Sequence, residues 1–144
     1  MYRTIVLALD ASEGAGHVIP EAIEIAGGNG STLILAHART RALETAFEQE
    51  LDEQAKRLSE AGNPTRVVVR TSLVGEEADF LAEVVDEEDA DLVVIASRGR
   101  SPFSCAVLGS VTTRLLHRVS CPVLVVSARA ARPASEQQQA TVSS

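Results

Sequence analysis

The chain has 144 residues, 45% hydrophobic and 23% charged, with 20 acidic against 13 basic side chains and a formal net charge of −7. One ordinary domain is expected: the length is short for two, it buries enough core to need no disulfide or metal staple, and no apolar run approaches the roughly 20 residues of a membrane span. The acidic balance argues against a general nucleic-acid surface, and the lack of Trp, with one Tyr and three Phe, leaves no series of stacking platforms for single strands.

The opening MYRTIVLALD holds an apolar run too short for a secretory leader, and no cleavage site follows, which reads as a cytoplasmic protein. Thr4–Leu9 (TIVLAL) is predicted as the first strand, ended by Asp10. Glu21–Ala26 (EAIEIA) has a helical pattern whose start is loosened by Gly14, Gly16 and Pro20; Pro20 suits only a first turn, so the helix is expected to begin near His17. Thr32–Ala38 (TLILAHA) follows a breaker cluster and is the second strand. Ala42–Ala61 is the longest helix, with Leu43, Phe47, Leu51, Ala55 and Leu58 at helical spacing, and Gly62-Asn63-Pro64 stops it.

Thr65–Arg70 (TRVVVR) is polar at both ends and is expected at an edge of the sheet. Glu76–Glu88 is helical, with Phe80, Leu81, Val84 and Val85 on one side. Asp91–Ala96 (DLVVIA) is a strand that runs into Ser97-Arg98-Gly99. Ser110–Arg118 is the last helix, and Arg114, His117 and Arg118 toward its end suit the helix dipole. Val123–Ser127 (VLVVS) is the last strand. Residues 1–128 thus form the domain, and the polar stretch 129–144, without an apolar period, is expected to be a disordered tail.

Strands and helices alternate strictly, and the strands are continuously apolar rather than alternating. Both features predict an open parallel α/β sheet with helices on both faces and right-handed crossovers. Such sheets take ligands beyond the carboxyl ends of their strands, where the strand order reverses. Two strand ends are equipped for this. The first carries Asp10-Ala11-Ser12. The other runs from Ser97 through Arg98, Gly99 and Arg100 to Gly109-Ser110 at a helix start.

A helix opening there presents backbone N–H groups and the positive end of a dipole. Gly109 lets a phosphate approach without a Cβ in the way, Gly99 can turn the chain, and the Ser110 hydroxyl can donate to an oxygen. Arg98 and Arg100 supply charge-assisted donors. Each feature has a plainer reading alone: Gly-Ser as an N-cap, the arginines as solvated loop charges, Asp10 as the cap of the next turn. Their conjunction at two strand ends of one sheet favours a polyphosphate cradle.

Cys105 and Cys121 have no CxxC spacing, and His17, His37 and His117 form no metal-ligand pattern. The histidines are read as surface residues of helices or strands. Arg70-Thr71-Ser72 after the third strand and a single lysine, Lys56, argue against a phosphoacceptor receiver domain. The segment DASEGAG, with one serine, argues against a flavodoxin-like phosphate loop.

Arg98-Gly99, then Arg100 to Leu108, then Gly109-Ser110, resembles the universal stress protein family, whose nucleotide-binding members carry G-x2-G-x9-G-[S/T] after the fourth strand. Asp10 after TIVLAL, the AHA ending of the second strand and SCPVLVV as the last strand match as well, in order over residues 1–128. The resemblance implies a five-stranded parallel sheet of order 3-2-1-4-5, an adenine nucleotide alpha hydrolase-like fold. It implies ATP as a regulatory or structural ligand, accompanied by Mg2+ or Mn2+. Leu9 and Asp10 would line the adenine side, with Ala38 and Ile95 flanking the base or ribose. Gly99, Gly109, Ser110 and Val111 would hold phosphates, with Arg98 nearby. It further implies a homodimer through Val123–Val126.

This sequence departs from the family pattern in four places. Ala96 stands where the first motif glycine would be. Ala11-Ser12 replaces the usual Gly-Ser after the acid. Gly14, Gly16 and Pro20 disturb the next helix, and the link before Glu44 is short. The loop from Ser97 to Ser110 holds no carboxylate or histidine to act as a general base, so hydrolysis is expected to be slow or absent. The alternative is a dimeric stress-response interaction module of the same fold that binds no nucleotide.

Overall fold

A computed structural model of the chain describes residues 2–10, 18–26, 30–40, 45–96 and 109–126. The elements run β1 (Thr4–Ala8), α1 (Val18–Ala26), β2 (Thr32–Arg39), α2 (Thr45–Glu60), β3 (Thr65–Thr71), α3 (Glu77–Glu88), β4 (Leu92–Ala96), α4 (Ser110–Arg118) and β5 (Val123–Val126). The five strands form one sheet of order β3-β2-β1-β4-β5, and every neighbouring pair is parallel. The predicted alternation, strand order and edge position of Thr65–Arg70 are therefore what the chain adopts. The predicted helical residues 42–44, the loop 97–108 and the tail 129–144 lie outside the described residues.

Two apolar layers follow from the alternation of side chains along each strand. Ile5, Leu7, Leu33, Leu35, Leu92 and Val94 point to one face, where α1 contributes Val18, Ile19 and Ala22 and α2 contributes Leu51, Ala55 and Leu58. Val6, Ile34, Ala36, Val93 and Ile95 point to the other, under Phe80, Leu81, Val84 and Val85 of α3 and Leu115 of α4. Both faces are covered, which is why the strand sequences read as unbroken apolar runs. Pro20 sits in the first turn of α1, where a missing N–H breaks no helical bond.

Local chemistry ends α2 and starts β2. Gly62 takes φ +109°, a conformation open to glycine, and lets the Asn63 N–H reach back to the Leu58 carbonyl at 3.0 Å. The buried Asn63 amide donates to the Ser31 carbonyl at 3.3 Å, tying this turn to the residue before β2. At the β3 edge, Arg66 pairs with Glu88, and Arg70 pairs with Glu87 while lying 5.9 Å from the Phe80 ring centroid. These exposed pairs dress the edge with charge and add little stability.

Asp91 fastens the start of the sheet. Its carboxylate accepts from the backbone N–H of Arg3 at 2.8 Å and of Thr4 at 2.9 Å, and its own N–H donates to the Thr4 carbonyl at 3.0 Å. Burial pushes the carboxyl's proton affinity up, but the N–H donors outweigh that and hold it below the ordinary aspartate value. A folded-state value that is depressed means stability present above the unfolded value of about 4 and lost as the pH falls through the folded one. Asp91→Ala should therefore cost about 1 kcal/mol in urea unfolding near neutral pH. The gap to the wild type should shrink below about pH 4. An equal gap at both pH values would contradict this role.

Candidate functional site

The strand order reverses at β1. Ala8 stands in register with Ala36 of β2 on one side and Ile95 of β4 on the other. The carboxyl ends of these strands therefore open together, and the chain leaving β1 passes through Leu9 to a partly buried Asp10.

The predicted site residues divide between the two layers. Ile95 is 7% exposed and belongs to the layer under α3 and α4, with Ala38 and Val111 packed against it. Leu9 is 5% exposed and belongs to the opposite layer, with Ala96 packed against it. Gly109 and Ser110 open α4, and both are exposed. Arg98 and Gly99 lie outside the described residues.

The opening of α4 has the features of an anion seat. Gly109 is the N-cap, at φ −63° and ψ 160°, and its carbonyl accepts from the Thr113 N–H at 3.0 Å. Among the described residues no side chain caps this end, and an added Cβ at Gly109 would meet nothing within 4 Å. The first turn carries no acid, whereas His117 and Arg118 stand in the last turn, where they complement the dipole. The helix is held in place. Leu115 is fully buried, Arg114 donates to the Gly75 carbonyl at 2.6 Å, and Arg118 donates to Asp79 Oδ1 at 2.6 Å.

His37 corrects the surface reading of the histidines. It is 4% exposed, because it shares the parity of Leu33 and Leu35 on a strand covered on both faces. Its Nδ1–H donates to the Leu9 carbonyl at 3.0 Å, and its ring meets Phe47 of α2 edge-on, with centroids 4.8 Å apart. The signal was available in the sequence, since the residues two and four positions before it are core leucines. His117 is exposed, as expected, and His17 lies outside the described residues.

Beyond His37, Arg39 donates through Nε to Glu48 at 3.1 Å and through a terminal nitrogen to Thr71 Oγ1 at 3.3 Å. The hydrogen bond from Arg39 holds the Glu48 carboxyl below its ordinary value, against a smaller effect of desolvation. Cys121, partly buried before β5, has its thiol pushed up by burial and by the charges of Asp91 and Asp86, the opposite of an activated thiolate.

The N–H groups at the start of α4, in a sheet whose strand order reverses beside Asp10, are suited to receiving the anionic end of a ligand. Among the described residues no group of three or more His, Cys, Asp or Glu could hold a metal ion. No helix among them is long and apolar enough to cross a membrane.

Comparison with known proteins agrees with this architecture. The model of the Universal stress protein family matches residues 1–127. A universal stress protein of Mycobacterium tuberculosis is 28% identical over 142 residues, covering 87% of this chain and 96% of its own. One of Thermus aquaticus is 29% identical over 136 residues, covering 88% and 99%. Among solved structures, a universal stress protein from Archaeoglobus fulgidus superposes with a TM-score of 0.69 at 25% identity, over 88% of this chain and 99% of that one. A universal stress protein in complex with cAMP superposes with a TM-score of 0.61 at 29% identity, over 88% and 97%.

Proposed function

The chain belongs to the universal stress protein family, and from that premise we propose that it holds ATP as a regulatory or structural ligand in the crevice between β1 and β4. The observation that carries this reading is the start of α4, where Gly109 leaves the first-turn N–H groups open to an anion. The cAMP complex of a relative with 29% identity supports an adenine nucleotide as the class of ligand. In this reading Asp10, with the neighbouring backbone of Leu9, takes the adenine side, and Ala38 and Ile95 flank the base or ribose. Gly109, Ser110 and Val111 face the phosphates, joined by Arg98 and Gly99.

Mg2+ or Mn2+ would be held chiefly by the phosphates, as is usual for a hard cation that keeps most of its waters. The chain's own residues bind and orient, and none near the phosphate end is a candidate base, so turnover is slow or absent. Assembly as a homodimer belongs to the same proposal. β5 forms one edge of the sheet, and Val123–Val126 offers it a second copy. The cytoplasm is the proposed location.

Thermal unfolding with and without ATP and Mg2+ tests the reading. Nucleotide at 100 times its dissociation constant should stabilise the fold by about 2.7 kcal/mol, and cAMP, with a single phosphate, should act more weakly. No shift at millimolar ATP would point instead to an interaction module without nucleotide.

Ala96 gives a second test. Its methyl packs against the layer that holds Leu9. Ala96→Gly should tighten ATP binding if that methyl crowds the ligand, while costing about 0.5–1 kcal/mol of stability. Unchanged affinity in a calorimetric titration would clear Ala96 of any obstructing role.

A further inference from the structure

We infer that His37 is a positioning residue for the nucleotide: by holding the Leu9 carbonyl, its Nδ1–H sets the path on which the chain leaves β1 and so aims Asp10. The inference rests on the crevice being the nucleotide site. β1 ends at Ala8, and the backbone contact with β2 continues one step further, through the Leu9 N–H to the Ala36 carbonyl at 2.9 Å. The Leu9 carbonyl then receives a side chain, the His37 imidazole, at 3.0 Å.

This single bond joins the residue before Asp10 to the residue before Ala38. It therefore couples the two strand ends proposed to flank the adenine. The ring is a stiff anchor, being 4% exposed and braced edge-on by Phe47. A carbonyl only accepts, so Nδ1 carries the proton. Packing alone would be served at this position by leucine, as at Leu33 and Leu35, with no polar atom to satisfy. The imidazole adds an N–H that leucine lacks, and that N–H reaches the Leu9 carbonyl.

Three variants separate donor from filler. His37→Asn keeps an N–H close to the place of Nδ1, His37→Gln moves it outward to the place of Nε2, and His37→Leu removes it while filling the space. ATP affinity is measured by calorimetry in the presence of Mg2+, alongside the melting temperature of each variant. The Leu and Gln variants should bind about tenfold more weakly and the Asn variant within about threefold of wild type, whatever the order of their melting temperatures. Affinity that tracks melting temperature, or an Asn variant no better than the Leu variant, overturns the inference.

Nitrogen-15 spectra of the wild-type imidazole provide a check that needs no variant. A ring with its Nδ1 protonated agrees with the assignment, and one protonated at Nε2 alone overturns it. Wild-type protein that binds no ATP overturns the nucleotide reading and this inference together. Wild-type binding that all three variants retain unchanged overturns this inference alone.

Discussion

Leu35→Ala is expected to remove about 2–5 kcal/mol of unfolding free energy, a large share of the roughly 5–15 kcal/mol that a domain of this size has. Leu35 is fully buried on β2, in register with Leu7 of β1 and Val67 of β3, and lies in the layer closed by α1 and α2. Truncation there leaves a cavity between the sheet and the helices packed on it, which close-packed neighbours fill only in part. The matching change at the edge, Val69→Ala, removes less volume from a partly buried position and should cost about 1 kcal/mol. Urea unfolding of the two variants checks the contrast, and equal losses would mean that the sheet's centre packs no better than its rim.

Much of this architecture is legible in residue order because parallel sheets impose a simple rule. A strand buried on both faces must be apolar throughout, and TIVLAL, TLILA and LVVIA have no other comfortable home in a chain of this length. The polar ends of TRVVVR mark an edge for the same reason, and the structure places β3 there. Pro20 locates the first turn of α1 because its missing N–H is harmless only there. The start of α4 at Ser110 is legible because Gly-Ser before a run with basic residues at its end is a local pattern.

What sequence order hides is direction and distance. Leu9 and Asp10 are adjacent in the chain and invite a common role, yet successive strand side chains point to opposite faces. Leu9 accordingly packs in the layer across the sheet from Ala38 and Ile95. His37 is misread when its polarity is weighed above its parity with Leu33 and Leu35, which is what buries it. The grip of Asp91 on the N–H groups of Arg3 and Thr4 spans 88 and 87 positions of the chain and leaves no local trace. Arg114 and Arg118 read as dipole partners of α4, but they also tie that helix to Gly75 and Asp79, contacts that only the packing of α4 beside α3 creates.

Gly109→Val should leave the protein folded and weaken ATP binding by about a hundredfold or more, a difference of about 2.7 kcal/mol. The backbone at Gly109 has φ −63°, which any residue adopts, and an added Cβ meets nothing within 4 Å. The cost to the fold is that of a poor N-cap, about 1 kcal/mol at most. The ligand bears the rest of the change. A phosphate held by the first-turn N–H groups must approach them to about 3 Å, and a branched side chain at the N-cap stands in that approach. Gly109→Ala should fall between valine and wild type, and Ser110→Ala, which deletes one hydroxyl donor, should cost about five- to tenfold. Titration calorimetry and melting temperature on the same samples separate the two effects. A valine variant that melts near the wild type and still binds ATP at wild-type affinity would place the phosphates somewhere other than the start of α4. Membership of the family, which rests on the whole of residues 1–127, would stand unaffected.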